Sequence, residues 1–433
     1  MLPTMRQRST TPLRRDLALA NINAAIWAFG NGLVSTTLVI YLALELGAAG
    51  FAISGILAAP RFAGVLRLGL PSFLARLPHR KALCAAFFLA SGGVLLGMAP
   101  AATGVAAGGI AMLVLAWCVH HLLQYCGVVL LWSWLGDLMP LPVRGRLIGR
   151  RERWLTIGRV AGLGVSFSLA TAWPWLSPES AETKWLPLAY SASIGAVLLM
   201  ASALPLLGIR SRESQPSATP HATWKAIAHC FFDPAYRRLM TFSCCFAVAN
   251  GMTAAAQNLY PKRVLGIDYE VIIALRAMMR GGQAAVAPAA GRWIDRSGAK
   301  RMMFGCQLIV ASGPLFYWLA SAEAPWWFVG AWVAWIAYAG LNVGLDHLKV
   351  TLAPPKNNVP AIAAYHAVAD LVNGLVVLAG GLVFDRLVAG GTEVLPLYGT
   401  LFLAGWVART AVAGLLLRLI EPARRNSEAD NVR

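Results

Sequence analysis

The sequence predicts an all-α integral membrane protein with twelve transmembrane helices arranged as two related six-helix bundles. Three observations predict it. Of 433 residues, 58% are hydrophobic and only 13% charged, about half the roughly 25% that a soluble domain carries. Basic residues gather in short clusters between apolar stretches. Several residues also recur at a constant spacing across the two halves of the chain.

Apolar stretches recur from Leu17 to Leu417. Each is long enough to cross a hydrocarbon core of roughly 30 Å at about 1.5 Å per residue. The expected spans are 18–42, 51–75, 82–101, 108–135, 155–175, 186–208, 239–260, 270–291, 302–321, 326–348, 361–384 and 396–418. The first run follows Arg14 and Arg15 and extends to about Leu44, beyond the roughly 7 to 15 residues of a signal-peptide core, so it is expected to persist as helix one.

The net charge of +18 does not point to nucleic acid, because the basic residues lie between apolar segments rather than on one soluble domain. Alternate connections hold clusters such as Arg144, Arg146, Arg150, Arg151 and Arg153, or Arg292, Arg296, Lys300 and Arg301, whereas the intervening connections hold Lys184, Lys262, Arg263 and Arg386. By the positive-inside rule both termini are expected in the cytoplasm, and the chain in a bacterial inner membrane. The seven cysteines have no metal-ligand spacing and are expected to be free thiols, with no metal and no cofactor. The polar stretch 210–238, containing Ser211, Ser214, Pro216 and Pro220, is the expected cytoplasmic linker between halves 1–209 and 239–433.

An internal repeat supports that division. Asn31-Gly32 followed by Tyr41 reappears as Asn250-Gly251 followed by Tyr260, an offset of 219, and Arg61 and Arg280 share that offset. One more residue aligns Arg76-Leu77-Pro78-His79-Arg80-Lys81 with Arg296-Ser297-Gly298-Ala299-Lys300-Arg301, which sets Pro78 opposite Gly298. Internal repeats of this kind are a signature of secondary transporters.

After the eighth span the chain reads Gly291-Arg292-Trp293-Ile294-Asp295-Arg296-Ser297-Gly298-Ala299-Lys300-Arg301. This resembles the loop motif of the major facilitator superfamily: a glycine, three residues, Asp-Arg, one residue, a glycine and a basic pair. Ala299 departs from the usual basic residue there, and the first-half copy is eroded. The segment 132–153, with Asp137, Pro142 and Arg144-Gly145-Arg146, is similar to the connection between helices four and five of bacterial members. The resemblance implies the fold of that superfamily, with helices three, six, nine and twelve outermost. A gating role follows for Asp295 and Arg296, framed by Gly291 and Gly298. The acid is expected to latch against the positive dipole end of helix five, near Arg151, and to hold an outward-facing state.

Charges at bilayer depth cost about 2.5 to 3.5 kcal/mol each on insertion scales, so they face a cavity or a partner. Arg61 and Arg280 lie near the middle of helices two and eight, and their planar forks suit a carboxylate or phosphate on an anionic solute. Neutralising a buried acid is the alternative role. Asn23, Trp27, Asn31 and Ser35 fall at steps of four on helix one and are expected to form a cavity-facing stripe. Asn250 and, on helix four, Gln124 complete the expected substrate-binding set. On helix eleven, Asp370 lies deep enough to titrate near neutral pH and is the expected proton-coupling residue, with His366 beside it. Asp346 and Lys349 are spaced for a local ion pair, and Tyr41 and Tyr260 read as interfacial belt residues. Arg409 in helix twelve fits none of these roles.

No nucleotide-binding loop occurs, which disfavours transport driven by ATP. The expected function is secondary active transport of a small solute by alternating access, driven by protons or by the solute's own gradient, by a monomer in the bilayer. A transporter-like receptor or assembly protein is the alternative reading. A polytopic membrane enzyme is a weaker one, since His120, His121, Asp137 and Asp346 lack a tight ligand motif.

Overall fold

A computed structural model describes residues 10–69, 79–98, 109–138, 144–180, 182–210, 228, 231–353 and 358–420. Most of the expected linker, Cys230 and the stretch 70–78 lie outside the described residues, as do the side chains of 133–138, 144–149 and Asp295. Everything described is helix, turn or short connection.

The described helices form twelve rods. Helix one is Thr10–Leu33 continued by Thr36–Glu45, and helix two is Gly50–Val65. Helices three to six are Arg80–Leu96, Gly109–Leu138, Arg144–Leu176, and Trp185–Ala201 continued by Ala203–Leu207. Helix seven is Pro234–Gly251 continued by Ala254–Arg263, helix eight is Tyr269–Ser297, and helix nine is Ala299–Ala311 continued by Gly313–Leu319. Helix ten is Trp327–Ala334 resumed at Tyr338–Leu352, helix eleven is Asn358–Ala389 and helix twelve is Val394–Leu416. Among the described residues nine rods are long and apolar enough to span a bilayer unaided, and helices two and three are apolar but shorter. Helix eight is the twelfth, and the arginines at 276, 280, 292 and 296 lower its hydropathy.

Backbone conformation carries the repeat more sharply than side-chain identity does. Gly47 and Gly266, in the loops after helices one and seven, both have positive φ, at 85° and 65°, and they are 219 residues apart. A left-handed turn there suits glycine because it has no Cβ to clash with the neighbouring carbonyl. Gly298, at φ 87° before helix nine, has its counterpart in His79, at φ 56° before helix three, again 219 apart. The one-residue shift expected from sequence, which set Pro78 against Gly298, is therefore not present: the offset of 219 continues, and a histidine occupies the glycine position. Helices one and seven also break within one residue of corresponding points, after Leu33 and after Gly251.

The chain packs as two compact units. Unit 1 comprises 1–218, 254–277 and 374–393, and unit 2 comprises 219–253, 278–373 and 394–433. Within unit 1, helices one and five approach so closely that backbone meets backbone. A Cβ on Gly32 would stand 2.5 Å from the Arg159 carbonyl oxygen, and one on Gly158 2.5 Å from that of Ala25. Gly162 faces the Phe29 carbonyl in the same way. Small residues permit such contact where lipid supplies no hydrophobic drive for helix association. Unit 2 is packed instead through aromatic rings, with Tyr317 edge-on to Phe328 at 4.9 Å and tilted against Phe402 at 5.2 Å.

Candidate functional site

Polar side chains in unit 1 fall into three groups. At the basic end, Asp16 pairs with Arg210 at 3.0 Å and Lys81 donates to the Ile209 carbonyl. Arg151, buried at the start of helix five, donates to the Ala20 carbonyl and to Asn23 Oδ1 and lies 5.7 Å from the centre of the Trp132 ring. Asn23 in turn donates to the Ser202 carbonyl at 2.8 Å. Arg151, the residue expected near the latch, thus staples helices one and five within unit 1. Arg296 is exposed, and the Asp295 side chain lies outside the described residues.

Deeper in unit 1, the expected stripe on helix one does not act as one surface. Asn23 is fully buried, and the Ser35 hydroxyl accepts from the Leu38 amide to cap the second segment of the helix. Trp27 and Asn31 are half-buried, and Asn31 Nδ2 contacts the Trp27 carbonyl at 3.4 Å. On helix four, Gln124 is buried, and His120 is hydrogen-bonded to Ser91 at 2.8 Å. Neither Trp27 Nε1 nor Gln124 Nε2 has a hydrogen-bond partner among the described residues. Arg61 is exposed, and its Cβ lies beside Gly374 of helix eleven.

The third group is a seam at the end of unit 1 that carries the loops after helices one and seven. Asp385 of helix eleven accepts from the amides of Gly50 and Phe51, at 2.8 and 2.7 Å. Tyr41 donates to the Ile267 carbonyl at 3.0 Å, and Arg263 donates to the Ala48 carbonyl at 2.6 Å. Ser166 of helix five is 2.8 Å from the Tyr269 hydroxyl, and Lys262 bridges Glu45 and Asp268, both at 2.7 Å. Lys184 is a second partner of Asp268, at 3.0 Å. Burial pushes the Asp268 carboxyl up, but the hydrogen bonds and charges of Lys262 and Lys184 outweigh it and hold the group below the usual carboxylate value. Tyr41 and Tyr260 are 3% and 4% exposed, so they are interior residues and not the belt residues expected from sequence.

In unit 2, Tyr338 donates to Asn250 Oδ1 at 3.2 Å, and Asn373 donates to the Ala247 carbonyl at 3.3 Å. Arg280 is exposed and donates to Gln283 on its own helix at 3.0 Å. Asp346 and Lys349 form the expected ion pair at 2.6 Å, and the Lys349 ammonium also reaches His366 Nε2 at 3.1 Å. Asp370 is buried one turn further along helix eleven. Tyr365 meets Ser243 through their hydroxyls. Arg409 finds its role here: it is buried beside the break in helix seven, donates to Thr253 Oγ1 at 2.9 Å, and its carbonyl receives Gln307 Nε2. Sequence could not assign it because both partners come from other helices. Among the described residues no group of histidine, cysteine or acidic side chains is placed to hold a metal, and the described cysteines are free.

A family model described as MFS/sugar transport protein matches residues 81–347, more than half of the chain. No curated protein matches by sequence. Among solved structures, the nucleoside transporter NupG aligns with TM-score 0.67 at 14% identity, covering 95% of this chain and 100% of its own. An auto-inhibited peptide transporter of the POT family aligns with TM-score 0.70 at 11% identity, covering 95% and 98%. The xylose transporter XylE from E. coli, in a partially occluded inward-open conformation, gives 0.63 at 13% identity, covering 95% and 98%. At these identities the solved structures establish the fold. The family model establishes kinship and sets the chain among transporters and not enzymes. The chain belongs to the major facilitator superfamily, within the MFS/sugar transport protein family.

Proposed function

We propose that the protein moves a small anionic solute across the bacterial inner membrane by alternating access, as a monomer with both termini in the cytoplasm. Halves 1–209 and 239–433, joined by the 210–238 linker, rock about a shared central site. The observation that carries this reading is the paired discontinuity in helices one and seven, with Asn31 and Asn250 just before the two breaks. Interrupted helices expose backbone polar groups at membrane depth, and transporters bind substrate where such groups line a cavity. Of the other residues assigned to that site, Trp27 and Gln124 offer nitrogen donors with no described partner, and Arg61 and Arg280 supply exposed cations at repeat-related positions.

Coupling to protons is assigned to Asp370 and His366. The Lys349 contact to His366 requires that Nε2 accept, and a second proton on that ring would set two cations against each other. Proton arrival at helix eleven is thereby tied to its grip on helix ten. Asp295 and Arg296, with Gly291 and Gly298, form the gate at the cytoplasmic end.

The test begins by comparing metabolites inside and outside cells with and without the protein, which identifies the solute. Purified protein in liposomes is then loaded with it under an imposed pH gradient. Arg61→Ala is expected to abolish uptake and Arg61→Lys to weaken it, because a point charge does not replace a bidentate fork. Asp370→Asn is expected to retain exchange down the solute gradient while losing accumulation driven by pH. Uptake by Arg61→Ala at the wild-type rate would remove the anion site, and pH-driven accumulation by Asp370→Asn would remove the coupling role.

A further inference from the structure

The contacts of the seam in unit 1 come in pairs that obey the repeat. Asp385 of helix eleven meets Gly50, the first residue of helix two, and Ser166 of helix five meets Tyr269, the first residue of helix eight. Gly50 and Tyr269 are 219 residues apart, and so are Ser166 and Asp385. The acceptor carbonyls obey the same rule: Ala48, which receives Arg263, and Ile267, which receives Tyr41, are also 219 apart. Each half of the chain therefore holds the first residue of a helix in the other half, from corresponding positions.

The two arms differ in chemistry. In the Ser166 arm neutral hydroxyls meet, and Ser166 is further tied to Ser191 at 2.9 Å. In the Asp385 arm a carboxylate accepts from two successive main-chain amides at the N-terminus of helix two, where the helix dipole is positive and no intrahelical partner exists for those amides. Close packing reinforces that arm, since a Cβ on Gly381 would stand 2.6 Å from the Gly50 carbonyl oxygen and would also run into Ser54. Charge-assisted hydrogen bonds are roughly twice as strong as neutral ones.

We infer that Asp385 is a positioning residue that holds the extracellular gate shut, by clamping helix eleven on the start of helix two, and that Ser166 with Tyr269 is its weaker counterpart on helices five and eight. The inference rests on the alternating-access reading and adds to it the residues that govern outward opening. The Phe51 contact is exposed, so water can replace it when the clamp parts, at a modest net cost. The Lys262 bridge between Glu45 and Asp268 closes the same end from helix seven.

The experiment is hydrogen exchange of the full-length protein in lipid nanodiscs, followed by mass spectrometry of the loop peptides around 45–54 and 262–272. Asp385→Asn keeps the size of the side chain and removes its charge. It is expected to speed exchange roughly tenfold in both peptides together, with Asp385→Glu restoring part of the protection and Ser166→Ala giving a smaller rise. A rise confined to 50–51 would mean a local helix cap and no gate, and would overturn the inference. So would unchanged exchange, or a larger effect from Ser166→Ala than from Asp385→Asn. Exchange is read without any solute, so failure of the clamp is distinguishable from failure of the transport reading, which shows as absent uptake with the exchange pattern intact.

Discussion

Unit 1 contains two interfaces of opposite character. Helices one and five meet through Gly32, Gly158 and Gly162, with carbonyl groups where side chains would be. The seam near residues 41–51 and 262–269 is built from Asp385, Arg263, Lys262 and tyrosine hydroxyls. Separating the first leaves voids that neither lipid nor a neighbouring side chain fills, because the surfaces match only each other. Separating the second exchanges each hydrogen bond for one to water, at a net cost of about 0.5 to 1.5 kcal/mol per bond. On the alternating-access reading proposed above, the bundles stay intact while the halves part, which calls for both kinds and makes the glycine interface the permanent one.

The comparison is broken most severely at Gly162. Alanine there pushes a methyl group into the Phe29 carbonyl, and it is expected to destabilise the protein by about 1 to 3 kcal/mol, as overpacking does. A thermal-unfolding measurement in detergent checks this, and an unchanged midpoint would show that helices one and five separate as easily as the seam.

A smaller effect is expected from acid. Asp268 titrates below its ordinary value when paired with Lys262 and Lys184, so its contribution to the closed seam is fully present above the ordinary carboxylate value. That contribution declines as pH falls and is lost below the lowered value. Taking the pH from 7 to well below the ordinary carboxylate value of roughly 4 should therefore reduce the protection factor of the 262–272 peptide, measured against the slower intrinsic exchange at acid pH, and Asp268→Asn should flatten that dependence while leaving the glycine interface unmoved. An acid response that survives in Asp268→Asn would assign it to another carboxylate of the seam.

The smallest expected change is a gain. His79 holds φ 56° where its repeat partner is Gly298, and a side chain in the left-handed region costs about 1 to 2 kcal/mol. Glycine relieves that strain but loses more chain entropy on folding, so His79→Gly is expected to stabilise by a net of about 0.5 to 1 kcal/mol. A rise of a few degrees in the unfolding midpoint checks it, and destabilisation would show that the imidazole makes a contact worth more than the strain.

The order of the twelve rods was legible in the sequence because hydropathy is a local property, averaged over some twenty neighbours. Even helix eight was legible as the span 270–291, although its arginines lower its hydropathy. The repeat was legible from Asn31 and Asn250, yet matching letters misplaced the loop before helix three by one residue. Pro78 looked like the better partner for Gly298, whereas φ identifies His79. Side-chain roles were less legible. Tyr41 looked like a membrane-interface residue from its place at a helix end, and Asn23 like part of a cavity stripe from its spacing. Their actual partners are the Ile267 and Ser202 carbonyls, which no spacing rule on a single helix can identify.

Composition and periodicity alone determined that this chain crosses a membrane as twelve helices in two related halves, since each helix satisfies its own backbone hydrogen bonds and needs no distant partner to form. Tertiary structure alone decided which polar groups meet. Asp385 and Gly50 are 335 residues apart, and what Asp385 binds is a pair of main-chain amides. Every residue other than proline carries such an amide, so the amino-acid letter conveys nothing about the partner, and only the packing of helix eleven against the start of helix two gives it one.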